Sequence, residues 1–276
     1  MVLKEHPIVG RILYRLIKKH IAGTTMSSVI DRAKELNGKK LPVSIAFLSD
    51  SARDSTKAKY ATTTYLELIR RIARMGLKAS IQVPLSQIGS GVSDDVVARN
   101  SREILRTANK YGVFVWFELN GPGGRMPSFL KGARGMGYAI GIGELGRYLG
   151  RKDAEMKSLK VLCTGKADDK KAGEGMSEGV KLALRSAKSV VLQSAPDVLA
   201  RPFVNSREHR KSMVFEFQLG YSSKAIGNLV KKGAKTSIYV PFGKDWTQYA
   251  IDRVPENYAR FLASSLLKEK SGAKRD

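Results

Sequence analysis

Cysteine is nearly absent from the 276-residue sequence: Cys163 stands alone, which excludes an internal disulfide and any zinc site built on paired thiolates. Histidine is almost as scarce, and His6, His20 and His209 are too scattered to suggest a histidine site, so no metal is expected. No apolar run approaches the length that spans a bilayer, and Met1 to Gly23 alternates charged with apolar residues instead of offering a signal-peptide core. A cytoplasmic protein without a membrane partner is the resulting expectation. Acidic residues are the third shortage: 25 Asp and Glu stand against 49 Lys and Arg, a formal net charge of +24. Such an excess creates a positive potential that attracts nucleic acid through counterion release. A uniformly basic host or a charged thermophile surface gives the same letters, although a thermophile network pairs its signs more evenly.

What is present is an alternation. The length suits one large core and accommodates an α/β barrel of about 250 residues. A single domain over 1–276 is therefore expected, with N-terminal helices over 1–40, a barrel over 41–268 and a basic tail over 269–276. Ile8, Ile12, Leu13, Leu16 and Ile17 make one apolar helical face, and Val29, Ile30, Ala33 and Leu36 the next. Apolar runs then recur at 42–48, 79–85, 113–119, 138–142, 159–163, 189–193, 212–217 and 236–240. Helical patterns separate them, most clearly over 57–75, 94–111, 174–187, 223–232 and 246–268. Eight strands alternating with helices predict a (β/α)8 TIM-like barrel, with an open doubly wound sheet as the rival. In a barrel the chemistry sits at the C-terminal strand ends and the loops that follow them.

Three features bear on function. Gly141-Ile-Gly143-Glu-Leu-Gly146 fits the letters of a dinucleotide loop, but it follows the fourth strand and sits in a glycine-rich segment, so it is a weak signal. The helix after the eighth strand carries Tyr249, Arg253 and Glu256 on one face. A phenol over a ring, a guanidinium on an anion and a carboxylate holding the guanidinium suit a small organic acid, while a core tyrosine beside a surface Arg-Glu pair is the plainer alternative. Basic clusters are the third feature. Lys4, Arg11, Arg15, Lys18 and Lys19 ride on the first helix, and Lys157, Lys160, Lys166, Lys170 and Lys171 crowd a linker over 152–171. Arg201, Arg207, Arg210 and Lys211 form another group, Lys231, Lys232 and Lys235 a further one, and Lys274 and Arg275 end the tail. Each alone reads as a solvated face; together they suit phosphate contacts with RNA.

The C-terminal third resembles the proline dehydrogenase family, flavin enzymes on a distorted (β/α)8 barrel. Phe215-Glu-Phe-Gln218, Tyr239-Val-Pro-Phe-Gly243, Asp245-Trp246, Tyr249 and the Arg253-to-Glu256 spacing carry the resemblance. Ala22-Gly23, Leu85-Ser-Gln-Ile-Gly89 and Phe114-Val-Trp116 extend it upstream more faintly. The resemblance implies that Tyr249 covers the proline ring, that Arg253 is the second of two carboxylate-binding arginines and that Glu256 is their partner. It also marks departures. Asp252 stands for the first arginine, Pro84 for a lysine ending strand two, and Glu118 for the aspartate of strand three. Gly143-Glu-Leu-Gly146 stands for a flavin-meeting Gln-Ala-Tyr-Leu, Val161-Leu-Cys-Thr-Gly165 for an Arg-Leu-Val-Lys-Gly with two flavin-facing cations, and Gln193-Ser-Ala195 for an Ala-Thr-His. Exchanging a cation for an anion at Asp252 adds repulsion where an acid must sit.

Kept framework and altered rim lead to the expectation of an inactive proline dehydrogenase-like barrel without cofactor that binds RNA, with a ribosome-associated role as an extrapolation from charge. The alternative is a divergent FAD-dependent dehydrogenase of proline or a related secondary amine, with Tyr249, Arg253 and Glu256 in its site. A scaffold whose basic surface reflects only its host is a third possibility.

Overall fold

The structure, a computed structural model, describes residues 14–15, 17–119, 127–141, 144–149, 156–162, 170–193, 213–220 and 223–251. Eight strands run β1 (Val43–Phe47), β2 (Ala79–Pro84), β3 (Phe114–Leu119), β4 (Met136–Gly141), β5 (Met156–Leu162), β6 (Ala187–Gln193), β7 (Met213–Gln218) and β8 (Lys235–Phe242). They pair in sequence order, all parallel, and β8 returns to β1 to close the barrel. The expected (β/α)8 architecture is thus present, and the doubly wound alternative is set aside because no strand order reverses.

The helices form where caps and apolar faces coincide. α1 (Met26–Gly38) starts at Thr25, whose hydroxyl accepts from Ser28 N while Ser28 Oγ accepts from Thr25 N, and it buries Val29, Ile30, Ala33 and Leu36. α2 (Ser55–Arg74) is capped by Asp54 and buries a face that includes Tyr65, Leu68, Ile69 and Ile72. α3 (Asp94–Tyr111) combines a Ser93 cap and two first-turn aspartates with a left-handed stop at Gly112. α4 (Leu145–Leu149), α5 (Lys170–Ser186), α6 (Ser223–Lys231) and α7 (Trp246–Ile251) complete the described helices.

Period-two alternation sorts the strand residues into two separate cores. Ile45, Val83, Phe117, Ile140, Val161, Leu192, Phe215 and Val240 point outward and pack with the helices into one large cluster. The opposite parity fills the lumen, where Trp116, Ala139, Leu162 and Val191 make one small cluster and Ala46, Tyr239 and Tyr249 belong to another. The polar side chains of the interior share this second parity, which places the candidate site.

β4 begins at Met136, two residues before the expected 138, and the reason is Gly137. Its lack of a side chain suggests a turn, but Gly137 pairs with Trp116 in register. A Cβ there would lie 2.5 Å from Trp116 Cζ3 and 2.8 Å from the Ser158 carbonyl oxygen, so the missing side chain is what lets the indole lie against the wall. Gly137→Ala is therefore expected to destabilise the fold by about 1–3 kcal/mol through overpacking, read as a lower urea midpoint at unchanged slope.

Candidate functional site

The strands with odd numbers contribute Ser44, Trp116, Lys160 and Glu216 to one layer of the interior, four side chains from alternate strands. Lys160 is fully buried and reaches across the barrel. Its Nζ donates to Ser44 Oγ at 2.7 Å on β1, to Gln82 Oε1 at 3.3 Å on β2 and to Glu216 Oε2 at 3.0 Å on β7. An ammonium has three N–H donors, and these three residues satisfy them. The same Nζ lies 5.0 Å from the centroid of the Trp116 ring, in reach of its π face. Burial pulls the Lys160 pKa below the ordinary lysine value, and the Glu216 carboxylate pulls the other way.

The network continues outward from Lys160. Ser237 Oγ on β8 donates to Glu216 Oε1 at 3.1 Å, and Gln82 Nε2 donates to Glu118 Oε2 at 2.7 Å. Ser44, Gln82, Lys160, Glu216 and Ser237 are all buried. One cation thus joins side chains from both halves of the strand ring, and Glu118 stands above it toward the C-terminal mouth.

The sequence reading places Lys160 both in the expected strand run 159–163 and among the lysines of a basic linker over 152–171, and the structure keeps the first and corrects the second. Lys160 is a strand residue at inward parity. Val161, the residue matched to a flavin-facing cation, instead packs outward with the helices, together with Leu159. Strand five therefore keeps an interior cation, one residue before the place where the motif comparison sought it.

Above the Lys160 layer, the even-numbered strands place Gln82, Ala139, Gln193 and Tyr239 inside, and the next level holds Ala46, Glu118, Leu162 and Gln218. Gln193 ends β6 only 5% exposed, and its Nε2 has no hydrogen-bond partner. Gly141 ends β4, and among the described residues a Cβ built on it would meet nothing nearer than Glu144 Cγ at 3.9 Å. Pro84 pairs with Glu118 at the end of β2, so the position expected to carry a lysine carries no charge.

Tyr249 lies on α7, buried, with its ring centroid 6.5 Å from that of Tyr239 and with Ile17, Ile21 and Ala46 in the same cluster. Arg253 and Glu256, which complete its expected triad, and Asp252 lie outside the described residues. The segment that supplies Ile17 and Ile21 crosses the strand ends at the mouth. His20 Nδ1 donates to the Leu219 carbonyl at 2.8 Å, Ala22 N to Pro241 O at 2.8 Å and Gly243 N to Gly23 O at 3.1 Å. Gly243 has φ +142°, and a Cβ there would sit 2.3 Å from Leu48 O, so glycine permits this close crossing.

Among the described residues, the expected RNA-binding groups fall into two sets. Arg15, Lys18 and Lys19 are exposed beside the C-terminal ends of β7 and β8, whereas Lys231, Lys232 and Lys235 are exposed around the N-terminal end of β8. The two groups occupy opposite ends of the barrel. Lys4, Arg11, Arg201, Arg207, Arg210, Lys211, Lys274 and Arg275 lie outside the described residues. Among the described residues no cluster of His, Cys, Asp and Glu is large enough to hold a metal ion, and no helix is long and apolar enough to cross a membrane. Sequence reasoning missed Ser44, Gln82, Lys160, Gln193 and Ser237 as interior groups. The available signal was the alternation around them, since Leu159 and Val161 must face one way and Lys160 the other.

No protein-family model matches the chain. Among curated proteins it is similar to proline dehydrogenase 1 of Bacillus subtilis (strain 168), with 24% identity over 275 residues that cover 91% of each chain. Proline dehydrogenase of Deinococcus radiodurans is 22% identical over 308 residues, covering 97% of this chain and 96% of the relative. Among solved structures, proline utilization A (PutA) of Bdellovibrio bacteriovorus, inactivated by N-propargylglycine, matches with a TM-score of 0.67 at 13% identity, over 89% of this chain and 33% of that one. PutA of Corynebacterium freiburgense matches with a TM-score of 0.64 at 12% identity, over 91% and 32%. The chain thus spans about a third of the length of these PutA proteins, and the likeness to them is one of fold.

The Lys160–Glu216 pair makes a test of the interior possible. Lys160→Met leaves the Glu216 carboxylate buried without its cation and is expected to cost about 3–5 kcal/mol. Adding Glu216→Gln should recover most of that loss, because a neutral amide needs no counter-charge. Urea unfolding of the two variants checks both expectations.

Proposed function

We propose that this chain, a divergent member of the proline dehydrogenase family, is a flavin-dependent dehydrogenase that oxidises proline or a related secondary amine at the C-terminal mouth of its barrel. The observation that carries this reading is the buried Lys160–Glu216 pair and the polar side chains joined to it. Apolar residues of similar volume would fill a purely structural barrel at equal or lower cost. A polar network directly beneath a barrel mouth suits a site for a polar ligand above it. The similarity to proline dehydrogenases over 91% of both lengths supports the same choice of chemistry.

Flavin fits this mouth on two counts. Gly141 adds no side chain at the end of β4, where among the described residues nothing lies nearer than 3.9 Å to a Cβ position, and Lys160 sets a cation beneath the level that a ring system would occupy. When bound, a flavin supplies the oxidant that takes hydride from the substrate carbon. The protein's part is placement. Tyr249 would cover the substrate ring, Arg253 would hold its carboxylate and Glu256 would orient Arg253. Asp252 beside Arg253 lowers the positive charge offered to a carboxylate, which favours a substrate held less by its acid group than by its ring and amine. Lys160 and Glu216 touch each other rather than a ligand and act as positioning residues, keeping Gln82 and Glu118 in place beneath the mouth.

A second reading rests on the net charge of +24, which favours binding to RNA through phosphate contacts, with a ribosomal partner as the extreme case. In this reading Arg15, Lys18 and Lys19 contact phosphate at one end of the barrel and Lys231, Lys232 and Lys235 at the other. It does not compete with the first, because the mouth and the basic surfaces use different residues.

Two measurements test these readings. Purified protein, reconstituted with FAD, is expected to show a flavin spectrum that bleaches on addition of L-proline or a secondary amine; bound flavin that stays oxidised with every such amine overturns the dehydrogenase reading. Affinity for ribosomal or transfer RNA is expected to fall steeply between about 50 and 200 mM salt, and absence of binding at the lower salt removes the RNA reading.

A further inference from the structure

Gln193 presents a buried polar group that the folded chain does not satisfy. The residue is 5% exposed, and its Nε2 has no hydrogen-bond partner. A buried amide left unpaired costs about 1–3 kcal/mol, so its persistence calls for a reason. The neighbouring Lys160 needs no ligand, because Ser44, Gln82 and Glu216 already use its three donors. The unmet donor of this level is Gln193.

Its surroundings define the shape of a partner. Gly141, Leu162 and Gln193 are register neighbours on β4, β5 and β6, a row across three adjacent strand ends. Two strand spacings make that row about 10 Å long. At one end lies Gly141, which no side chain among the described residues crowds, in the middle the apolar side chain of Leu162, and at the other the Gln193 amide. Trp116 and Lys160 fill the lumen below. A flat ring laid along the row would meet room, apolar contact and a hydrogen-bonding edge in that order.

We propose that Gln193 recognises the imide edge of a flavin ring bound across the ends of β4, β5 and β6. A carboxamide sets a donor and an acceptor side by side, and the imide edge offers the complementary carbonyl and N–H, so one side chain reads both. The donor satisfied in this way is the one the folded chain leaves unpaired. A hydrogen bond to a ring carbonyl also favours the electron-rich, reduced ring over the oxidised one, so Gln193 raises the reduction potential of bound flavin. The inference rests on the flavin reading of the mouth and adds to it a residue that the altered strand-six motif gave no cause to select.

Gln193→Leu and Gln193→Glu test the assignment, with FAD as the probe. In Gln193→Leu the unpaired donor is gone, so the flavin-free protein is expected to be as stable as the parent or more so in urea. FAD binding, followed by quenching of flavin fluorescence, is expected to weaken by about tenfold to a hundredfold, and the potential of the bound flavin is expected to move to a more negative value. Gln193→Glu keeps the volume but loses the donor, and weakened FAD binding in it separates hydrogen bonding from packing. Parent-like FAD affinity and potential in both variants overturn the assignment while leaving the flavin reading intact. A parent protein that binds no FAD overturns both.

Discussion

One ammonium group organises the interior of this barrel. Lys160 starts on β5 and finds its acceptors on β1, β2 and β7, strands that come within reach of a single side chain only when the sheet is closed. A buried charge without partners would cost several kcal/mol. The closed ring and the satisfied lysine are therefore conditions for one another. Everything above that layer inherits its position from it. Gln82 uses its carbonyl on Lys160 and its amide N–H on Glu118, and Ser237 holds the carboxylate of Glu216. The mouth rests on a floor with little freedom to rearrange, because moving any member leaves another unpaired in a low-dielectric interior.

The fold was legible because its signals are local. Outward-facing runs such as Val43-Ile45-Phe47 and Phe215-Phe217 alternate with capped amphipathic helices, and each can be recognised within ten to twenty residues. The site was less legible because its geometry is nonlocal. Lys160 has the same letter as the surface lysines around it, and only the parity of Leu159 and Val161 distinguishes it. Which residues it meets depends on how the strands stagger around the ring, and that stagger has no short-range signature. The expected fourth strand begins at 138 and leaves Gly137 out, because the cause of its small size is an indole on another strand. Tyr249, which helical spacing singles out, is buried in the apolar cluster of Ile17, Ile21, Ala46 and Tyr239, a placement that suits a core tyrosine as well as a site residue.

Charge shows a similar division between composition and placement. The excess of Lys and Arg is plain in the sequence, but composition carries no direction. Among the described residues, Lys18 and Lys19 sit by the strand C-termini while Lys231 and Lys232 sit by the N-terminus of β8. Among the described residues these two groups at opposite ends of the barrel do not form one stripe, and charge placed in that way attracts anions from more than one direction. The interior has the opposite character: its buried cation is matched by a carboxylate, so the lumen contributes little to the surface field.

The crossing of His20 onto the carbonyl of Leu219 joins residues 199 positions apart. Together with the β1–β8 pairing, it means that the first strand waits for the last before its second edge is covered. A chain emerging from synthesis would hold β1 and the segment before it without their final partners until β7 and β8 have been made. Such high contact order slows folding and prolongs the exposure of an unpaired strand edge. Lys160 bears on that interval. While the ring is open its ammonium keeps its hydration, so water leaves the lumen at the step that completes the ring. Closure is thus the step at which the buried lysine exchanges water for its three partners.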